Sequence, residues 1–574
     1  MEVKKIDAGF SVSDQISPHD LPEIARAGFI TIICNRPDGE EGLQHPLDAI
    51  KGAAKTFGIK VVYVPVVYDT ISVTDVVKFA RAWHRSNRPT LAYCRSGLRS
   101  STLWALMQIG NDEPVNDVLA RVSAAGYDIG DFEKKFAPVI SEFTSIQQDS
   151  RNQTTTVKEV APMNDHETKY DVLIVGAGAA GISFASSLLS RQRDLGIAVI
   201  DAAETHYYQP GFTMIGGGIF SSDQVKRSMQ SLIPSGVKWI RAAVSAFEPD
   251  ANTVVLNDGS RIAYTRLIVC PGIKLDWDAI EGLESTLGSN GVTSNYRADL
   301  APYTWKLVQQ MTSGKALFTQ PPMPIKCAGA PQKALYLSAD HWHRKGLIDN
   351  IDVEFYNAGA VLFGVKEYVP ALQSYMDKYK ARIHYSHNLV KVDGPGKTAW
   401  FEATDADGKV TTVATDFDML HVCPPQTAPD FIRNSPLADA AGWIDVDPGT
   451  LQHTRYKNIW GLGDAANTTN AKTAAAVRKQ APVVAANIIA DIKGDSALCH
   501  YDGYGSCPLT VERGKIVLAE FVYGGKLAPT LPVWILDGTK PTAMAWHMKK
   551  SLLPALYWQG MLKGHELLVK PIAG

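Results

Sequence analysis

The chain has 574 residues, of which 57 are lysine or arginine and 59 are aspartate or glutamate, giving a formal net charge of −2. This length predicts three or four domain-sized units, and the balanced charge without a long basic block argues against a nucleic-acid partner. Seven cysteines do not make a disulfide framework in so long a chain, so we expect core cysteines or reactive thiols in a reducing compartment. Residues 1–15 lack the apolar core of a signal peptide, which favours a cytoplasmic protein.

Residues 1–145 alternate apolar, strand-like runs with helix-like runs. The sequence predicts strands at 29–35, 60–67 and 89–94, and helices at 22–27, 73–86 and 100–109. This alternation is typical of a compact α/β domain. Residues 146–168 are polar and without periodicity, which predicts a linker.

The stretch LAYCRSGLRSS places Cys94 directly after a predicted strand and Arg99 five residues later. In such a C-x-x-G-x-R loop, backbone amides at the start of the next helix can surround an anion and lower the pKa of the cysteine, while the arginine holds the anion. Tyrosine phosphatases have one more residue between cysteine and arginine. The shorter loop matches rhodanese-type sulfurtransferases, because a smaller cradle suits a persulfide.

The segments SVSDQISPHDLPEIARAGFITIICNRPDGEE and CRSG resemble a phosphatase-like family that is found fused to sulfur-metabolism enzymes. This resemblance covers roughly residues 1–110 and leaves two activities open, a sulfurtransferase and a phosphatase. In the phosphatase interpretation Asp69 is the general acid, although it equally fits a turn.

A second unit begins with an apolar strand at 171–175, followed at once by Gly176, Gly178 and Gly181 and a helical run. In a dinucleotide-binding unit the first glycine makes the tight turn, the second admits the pyrophosphate and the third lets helix and strand pack closely. The next strand ends at Asp201, where a carboxylate can bind the adenosine ribose. This order explains the uncharged run 172–190, which is otherwise long enough to cross a bilayer.

FAD is favoured over NAD by a second motif, IWGLGD, which contains Gly463 and Asp464. In two-dinucleotide flavoproteins this late Gly-Asp returns to the first domain and contacts the flavin end of FAD. A second glycine-rich loop for NAD(P)H is expected between the two motifs, but the strand at 316–319 is followed by QPPMPIKCAGAPQK. Its prolines remove amide donors and disfavour a phosphate-binding helix start, so we expect electrons to enter by another route.

Cys327, within this proline-rich stretch, is the candidate for that route, and the adjacent Lys326 is expected to lower its pKa. A thiol that exchanges electrons with a flavin usually needs a partner thiol. Cys507 lies between Gly and Pro in GYGSCPLT, which predicts an irregular, exposed position. Three other cysteines follow apolar strands and are expected in the core, and one precedes a histidine in a polar stretch: Cys34, Cys270, Cys423 and Cys499.

Residues from about 169 to 574 resemble the sulfide:quinone oxidoreductase family, particularly its mitochondrial type and bacterial relatives. The matching motifs are HYYQPGFTMIGGG, PIKCAGAPQKALYLS, FGVKEYVPALQ, ADAAGWIDVD, KTAAAV, YDGYGSCPL and VLAEF. The resemblance implies that Cys327 and Cys507 form the redox pair, with the persulfide on Cys507 and a flavin-facing thiolate on Cys327. It implies hydrogen sulfide as substrate, a quinone as electron acceptor and a small thiol or sulfite as sulfur acceptor. It also implies FAD contacts from Ala179, Ala180, Asp201, Gln209, Val244, Asp464 and Lys472.

A quinone needs an entrance that faces lipid, and residues 547–564 have an apolar centre with Lys549, Lys550 and Lys563 at the ends. This pattern predicts an interfacial helix with snorkelling lysines and a peripheral contact with the inner face of the membrane. A plain surface helix packed on the flavin domain is the alternative.

The sequence therefore predicts an α/β chain in which a phosphatase- or rhodanese-like domain precedes a tandem Rossmann flavoprotein. We expect domains at 1–145, 169–500 and 501–574, the last being a redox-cysteine and membrane-facing segment, and no metal site. The leading hypothesis is an FAD-dependent sulfide:quinone oxidoreductase whose N-terminal cysteine domain accepts the persulfide. Two alternatives stay open: an NAD(P)H-dependent quinone or disulfide reductase with a tyrosine-phosphatase-like domain, and a persulfide sensor without turnover.

Overall fold

A computed structural model describes residues 1–7, 9–37, 40, 44–84, 89–111, 113–129, 132–152, 169–569 and 571–573. The chain divides into two compact units, Met1–His166 and Glu167–Gly574.

The first unit is built on a five-stranded sheet in which the strand that precedes Cys94 is central. In spatial order the strands are Val3–Asp7, Phe10–Ser13, Thr90–Tyr93, Thr31–Cys34 and Lys60–Tyr63. The first pair is antiparallel and all other pairs are parallel. The helices are Leu21–Arg26, Leu47–Thr56, Val73–His84, Leu98–Gly110, Val115–Ala124 and Phe132–Asn152.

The predicted α/β class of this unit is confirmed, although the N-terminal strand pair and three of its helices were not predicted. The last helix continues to Asn152, so the first part of the predicted linker, 146–152, is helical. The rest of that linker lies outside the described residues. The central strand is buried along its whole length, and its carboxyl end carries Cys94 to the edge at which four parallel strands end.

The second unit opens with a seven-stranded sheet around the glycine loop. Six strands follow one another in the order Val237–Ile240, Ile197–Ile200, Lys169–Val175, Arg261–Val269, Thr253–Leu256 and Val244–Glu248, and Ile459–Gly461 pairs with Arg261–Val269. Five strands of this sheet are parallel to one another: Val237–Ile240, Ile197–Ile200, Lys169–Val175, Arg261–Val269 and Ile459–Gly461. Their carboxyl ends therefore meet at one edge, where open α/β sheets bind ligands.

A second, entirely parallel sheet follows, with the order Val292–Thr293, Met419–His421, Gly314–Gln320, Ile351–Asn357 and Arg382–Tyr385. Its main helices are Ala301–Gln310, Ala330–Arg344 and Val369–Lys378, and an antiparallel sheet adds His387–Asp393, Thr398–Thr404 and Val410–Asp416. Its inner strands are largely buried because helices cover a parallel sheet on its faces, whereas the edge strand Arg382–Tyr385 is partly exposed. This second α/β sheet confirms the tandem architecture.

The C-terminal part returns to both sheets. Helix Ala474–Lys493 packs on helix Ala179–Arg191 of the first sheet. The antiparallel strands Gly505–Glu512 and Lys515–Phe521, named here the thiol hairpin, pack on helix Ala330–Arg344 of the second. Helix Ala543–His547 and irregular helical turns to Lys563 follow, and Cys499–His500 pairs with Ile572–Ala573.

Short elements complete this unit: the strand pairs Thr205–Tyr207 with Lys226–Ser228 and Lys274–Leu275 with Gln426–Thr427, and the helices Phe212–Gly216, Leu283–Thr286, Asp430–Arg433 and Leu553–Ala555. Among the described residues, no helix has both the length and the apolarity that crossing a bilayer requires. The uncharged run 172–190 is divided among a strand, the glycine loop and the 13-residue helix Ala179–Arg191.

Candidate active site

The three glycines of the first loop have three different surroundings, as the nucleotide-binding prediction requires. A Cβ at Gly176 would lie 2.7 Å from the Cys270 carbonyl oxygen, and a Cβ at Gly181 would lie 1.9 Å from the Gly176 carbonyl oxygen. A Cβ at Gly178 would meet no atom within 4 Å. The open side of the loop is thus at the second glycine, where a pyrophosphate would approach the free amides of Ala179 and Ala180 in the first helical turn.

Asp201 connects the second strand to this loop. Its carboxylate accepts hydrogen bonds from the amides of Ala177, at 2.7 Å, and Ala203, at 2.8 Å. A carboxylate oxygen has a second lone pair, so both oxygens can still accept from a ribose hydroxyl. The Asp201 amide donates to the Ile240 carbonyl at 3.1 Å, and half-buried Val244 begins the strand four residues further on. The structure thus joins Asp201 to the loop and leaves Val244 at the far margin of the predicted site.

The late Gly-Asp motif lies against the first nucleotide-binding helix. A Cβ at Gly463 would lie 3.3 Å from the Ala180 Cβ. The buried Lys472 ammonium donates to the carbonyls of Asp464 and Ala466, each at 2.8 Å, and burial lowers the pKa of Lys472 to about 8. Burial also raises the pKa of the Asp464 carboxyl. Gly463, Asp464 and Lys472, which are far from residues 176–181 in sequence, therefore form one polar wall beside the glycine loop.

Helix Ala330–Arg344, named here the thiol helix, occupies the position of a nucleotide-binding helix in the second sheet. It follows strand Gly314–Gln320 after the proline-rich stretch, and it begins with proline at its second position. The prolines therefore do not prevent the helix. At its start, however, lies the sulfur atom of Cys507, in the place where a nucleotide-binding helix would hold a phosphate. A Cβ at Gly329 would lie 2.7 Å from Cys507 Sγ, so the thiol hairpin covers the N-terminus that a nicotinamide nucleotide would need.

Cys327 Sγ lies 3.5 Å from Cys507 Sγ, which brings together the two thiols of the predicted redox pair. Cys327 has a left-handed backbone, with φ +52°, a conformation that costs a non-glycine residue on the order of 1–3 kcal/mol. Its amide donates to the Lys472 carbonyl at 3.0 Å, and its carbonyl accepts from the Ala330 amide at 2.8 Å. These two hydrogen bonds hold Cys327 between the polar wall beside the glycine loop and the thiol helix.

The prediction that Cys507 is irregular and exposed is wrong. Cys507 lies inside strand Gly505–Glu512 and is only 2% exposed. The hairpin has two strands, so Pro508 is tolerated on an edge strand where an interior sheet position would need its missing amide. The expected core positions of Cys34, Cys270 and Cys423 are confirmed, since all three are buried, whereas Cys499 is half-buried.

The lysine that contacts the Cys327 sulfur is Lys333, and not Lys326 as predicted. Lys326 Nζ donates to Gln209 Oε1 at 2.8 Å instead. Lys333 lies in the first turn of the thiol helix and donates to Cys327 Sγ at 3.0 Å. A lysine beside a helix N-terminus is electrostatically unfavourable unless an anion balances it, and this placement was the sequence signal that we missed.

The hydrogen bond from Cys507 lowers the pKa of Cys327 well below its ordinary value, and the Lys333 charge adds to this effect against burial. The same hydrogen bond and burial raise the pKa of Cys507. Burial would lower the pKa of Lys333, but the charge on the Cys327 and Cys507 sulfurs outweighs it and raises that pKa. The reduced pair thus has one thiolate and one thiol, and the thiolate is the sulfur form that reacts in thiol–disulfide exchange.

Lys549 is the second cation of this site, and its predicted role as a snorkelling lysine is wrong. It is 3% exposed and donates to the Pro210 carbonyl at 3.3 Å. Burial, followed by the charge of Lys333, lowers the pKa of Lys549 to about 7. The charges of Cys327 and Cys507 act in the opposite direction and raise this pKa. No local pattern marks this residue in the sequence.

The segment around Lys549 packs on the first nucleotide-binding domain, which is the alternative that the sequence left open. Tyr557 is 5% exposed, and its hydroxyl lies 2.6 Å from His206 Nε2. Large apolar side chains are exposed on both sides of this segment: Val533 (59%), Trp534 (85%) and Ile535 (42%) lie before it, and Leu567 (56%) and Leu568 (77%) lie after it.

In the first unit, Cys94 follows strand Thr90–Tyr93 and is fully buried, and the Gly97 amide points at its sulfur across 3.1 Å. Helix Leu98–Gly110 follows this loop directly, with Gly97 as its N-cap residue. The Arg99 guanidinium donates to Glu40 Oε2 at 2.7 Å and to the Val66 carbonyl at 3.0 Å. The predicted loop therefore forms, with its arginine held by a carboxylate. Of Asp69, only the backbone is described.

Comparison with known proteins agrees with the class that the fold and the thiol pair define, a pyridine nucleotide–disulfide oxidoreductase. Residues 170–319 match the family model described as "Pyridine nucleotide-disulphide oxidoreductase", a class that implies a flavin cofactor. Residues 2–111 match the model described as "Beta-lactamase hydrolase-like protein, phosphatase-like domain".

Over 396 residues the chain is 41% identical to the mitochondrial sulfide:quinone oxidoreductase of Dictyostelium discoideum, with 68% of this chain and 86% of that protein covered. It is 39% identical over 396 residues to the Mus musculus protein of the same name, with 69% and 87% covered. The chain belongs to the sulfide:quinone oxidoreductase family, as its motifs predicted. The crystal structure of the Aquifex aeolicus sulfide:quinone oxidoreductase shares the fold, with a TM-score of 0.60 at 19% identity and 71% and 97% covered.

Proposed function

We propose that this chain oxidises hydrogen sulfide at Cys327 and Cys507 and passes the electrons through FAD to a quinone. The observation that carries the proposal is the thiol pair itself. Two sulfurs 3.5 Å apart occupy the helix start at which a related oxidoreductase would bind a nicotinamide nucleotide. Membership of the family supplies the substrate and the acceptor.

The residues beside the first loop fit FAD. The opening at Gly178 admits a pyrophosphate, Asp201 faces the ribose, and Lys472 with Asp464 lines the flavin end. Bound FAD would take the two electrons that the thiol pair releases and transfer them to the quinone. Lys472 accepts the Cys327 amide hydrogen bond through its carbonyl, so the same residue positions the thiol and borders the cofactor.

The charges of the site suit attack by hydrosulfide. In the oxidised pair, HS⁻ attacks the Cys507 sulfur, the bond between the two cysteine sulfurs breaks, and Cys327 leaves with the electron pair as a thiolate. Cys507 becomes a persulfide. Lys333 holds the leaving thiolate, since its ammonium already donates to Cys327 Sγ, and Lys549 adds a second positive charge that attracts the anion.

The sulfane sulfur then passes to a small thiol or sulfite. A thiolate acceptor attacks the outer sulfur of the persulfide, takes it with the proton, and leaves Cys507 as a thiolate. We propose that the Cys94 loop of the first unit is a sulfurtransferase site that accepts or relays this sulfur. Two cysteine chemistries on one chain raise their effective concentration for each other.

We propose peripheral membrane contact at the apolar loop formed by Val533, Trp534 and Ile535, because exposed aromatic and aliphatic side chains partition into the bilayer interface. Tyr557 is held on the protein by its contact with His206, whereas Trp534, at 85%, is the most exposed of the large apolar side chains within the described residues. We therefore place the lipid contact, and with it the entry of a quinone, at this loop.

Replacement of single cysteines tests the proposal. Cys327→Ala and Cys507→Ala should each abolish sulfide-dependent reduction of decylubiquinone while the purified protein retains FAD. Cys499→Ala, which changes a half-buried cysteine outside the pair, is the matched control and should keep full activity. Full activity in either Cys327→Ala or Cys507→Ala would remove the thiol pair from the mechanism.

A further inference from the structure

The Cys94 loop lies where three strands of the first unit end. Ser13, the last residue of its strand, and Cys34 both pair with Tyr93, so the residues around these strand ends border Cys94. Tyr127 closes the loop from another side, because a Cβ at Gly97 would lie 2.1 Å from its hydroxyl oxygen. Burial, with the charge of Cys94, raises the pKa of Tyr127 to about 12. Cys94 therefore lies among the ends of these strands, next to the loop that Tyr127 covers.

Three buried polar atoms, on residues at these strand ends and in the first turn of helix Leu98–Gly110, have no hydrogen-bond partner within the described part of the chain. They are the hydroxyl oxygens of Ser13 and Ser100 and the side-chain carbonyl oxygen of Asn35. All three residues are fully buried, and Asn35 uses its amide nitrogen on the Val64 carbonyl. Buried polar atoms of this kind normally have partners. The Asn35 oxygen requires a donor, which the S–H group of a persulfide has and a fully ionised oxyanion lacks.

The arginine that would hold an oxyanion is already paired. Glu40 Oε2 accepts from Arg99 Nη2 at 2.7 Å and from Arg36 Nε at 2.8 Å. The hydrogen bond from Arg99 is the main reason that the pKa of Glu40 lies below its ordinary value, so Glu40 is ionised at neutral pH. Two guanidinium groups thus share the carboxylate of Glu40 before any substrate arrives.

We propose that Glu40 is a specificity residue that fills the arginine clamp, so that the Cys94 loop takes sulfur from organic persulfides and rejects tetrahedral dianions such as thiosulfate and phosphate monoesters. A dianion would have to displace Glu40 from two arginines or leave like charges in contact, and such a juxtaposition of like charges disfavours binding. This inference rests on the proposed sulfurtransferase role of the loop and names its substrate class.

The transfer step adds no net charge to the site. The Cys94 thiolate attacks the outer sulfur of R–S–SH, a bond forms between Cys94 Sγ and that sulfur, and the sulfur–sulfur bond of the donor breaks. The donor leaves as the thiolate R–S⁻ with the electron pair, and Cys94 keeps the sulfur and its proton as a persulfide. The ionic balance of Arg36, Arg99 and Glu40 is the same before and after the step.

The test compares donors in the full-length protein. Sulfur transfer to cyanide is measured with glutathione persulfide and with thiosulfate, hydrolysis is measured with p-nitrophenyl phosphate, and inorganic phosphate is tested as an inhibitor. The wild type should prefer the persulfide over thiosulfate by at least about a hundredfold in kcat/KM and resist phosphate. Glu40→Gln should use thiosulfate and bind phosphate at least about tenfold better, because it removes the competing charge.

Glu40→Asp keeps the charge and should keep the preference, as should Glu23→Gln, which removes an exposed carboxylate of the same unit. Equal use of thiosulfate and persulfide by the wild type overturns the inference and leaves a sulfurtransferase in place. A Glu40→Gln protein with wild-type selectivity overturns it too. Absence of transfer from every donor, with normal quinone reduction, overturns the sulfurtransferase role itself. If Glu40→Gln does not fold, the wild-type measurement with phosphate still tests the inference, because strong inhibition by phosphate would overturn it.

Discussion

Replacing Lys333 with methionine should raise the pKa of the Cys327 thiol by about one to two units. The Lys333 ammonium lies 3.0 Å from Cys327 Sγ and is buried, so water does not replace its charge. A hydrogen bond to a charged group contributes about 1.5–3 kcal/mol, and one pKa unit corresponds to about 1.4 kcal/mol. Methionine keeps much of the apolar stem and removes the charge, so the change in the Cys327 pKa measures the contribution of the Lys333 ammonium charge.

The assay is the rate of Cys327 alkylation by iodoacetamide as a function of pH in reduced, anaerobic protein, with the modified residue identified by mass spectrometry. Lys326→Met is the matched control, because Lys326 donates to Gln209 and should shift the Cys327 pKa less. An unchanged pKa in Lys333→Met, or a larger shift in Lys326→Met, would refute the reasoning.

Gly329→Ala should slow sulfide oxidation at least about tenfold while flavin content stays constant, because the new Cβ would lie 2.7 Å from Cys507 Sγ and must push the pair apart; an unchanged rate would contradict the observed packing. Burial lowers the pKa of Lys549 to about 7, so its charge is present below that pH and lost above it. The advantage of the wild type over Lys549→Met in kcat/KM for sulfide should thus be largest at acidic pH and vanish as pH rises, whereas exposed Lys550→Met should match the wild type throughout. Trp534→Glu should weaken cosedimentation with phosphatidylglycerol vesicles at least about tenfold, and unaltered binding would move the membrane contact elsewhere. Cys94→Ser should leave quinone reduction intact and lose sulfur transfer from glutathione persulfide; loss of quinone reduction would show that the two sites depend on each other.

Local sequence patterns were sufficient for the parts of the site that depend on local backbone geometry. The glycines at 176, 178 and 181 serve a tight turn, the approach of a pyrophosphate and close packing of helix on strand, all within a few residues. In the structure, Gly176 and Gly181 are closely packed and Gly178 is open, as these roles require. The Cys94 loop is equally local, since a strand, four residues and a helix start define it. Cys327 was found because a proline-rich stretch stands where a second glycine loop belongs.

Tertiary contacts decide the rest, and no pattern of neighbouring residues encodes them. Lys333 reaches the sulfur only because the thiol helix turns back over Cys327. Lys549 is buried against the Pro210 carbonyl, although the composition of its segment predicted an exposed helix. Cys507 is buried because the thiol hairpin packs on a helix nearly two hundred residues earlier in the chain. The resemblance to the family supplied that pairing, whereas the charges around it came from the structure.

Anaerobic titration of the bound flavin is the measurement that tests the central claim most directly. The account holds that thiols replace the nicotinamide site, since Cys507 Sγ lies against Gly329 at the start of the thiol helix. Sulfide should therefore bleach the flavin absorbance in stoichiometric amounts, and NADH or NADPH should leave it oxidised. Bleaching by either nicotinamide nucleotide without any response to sulfide would contradict the account.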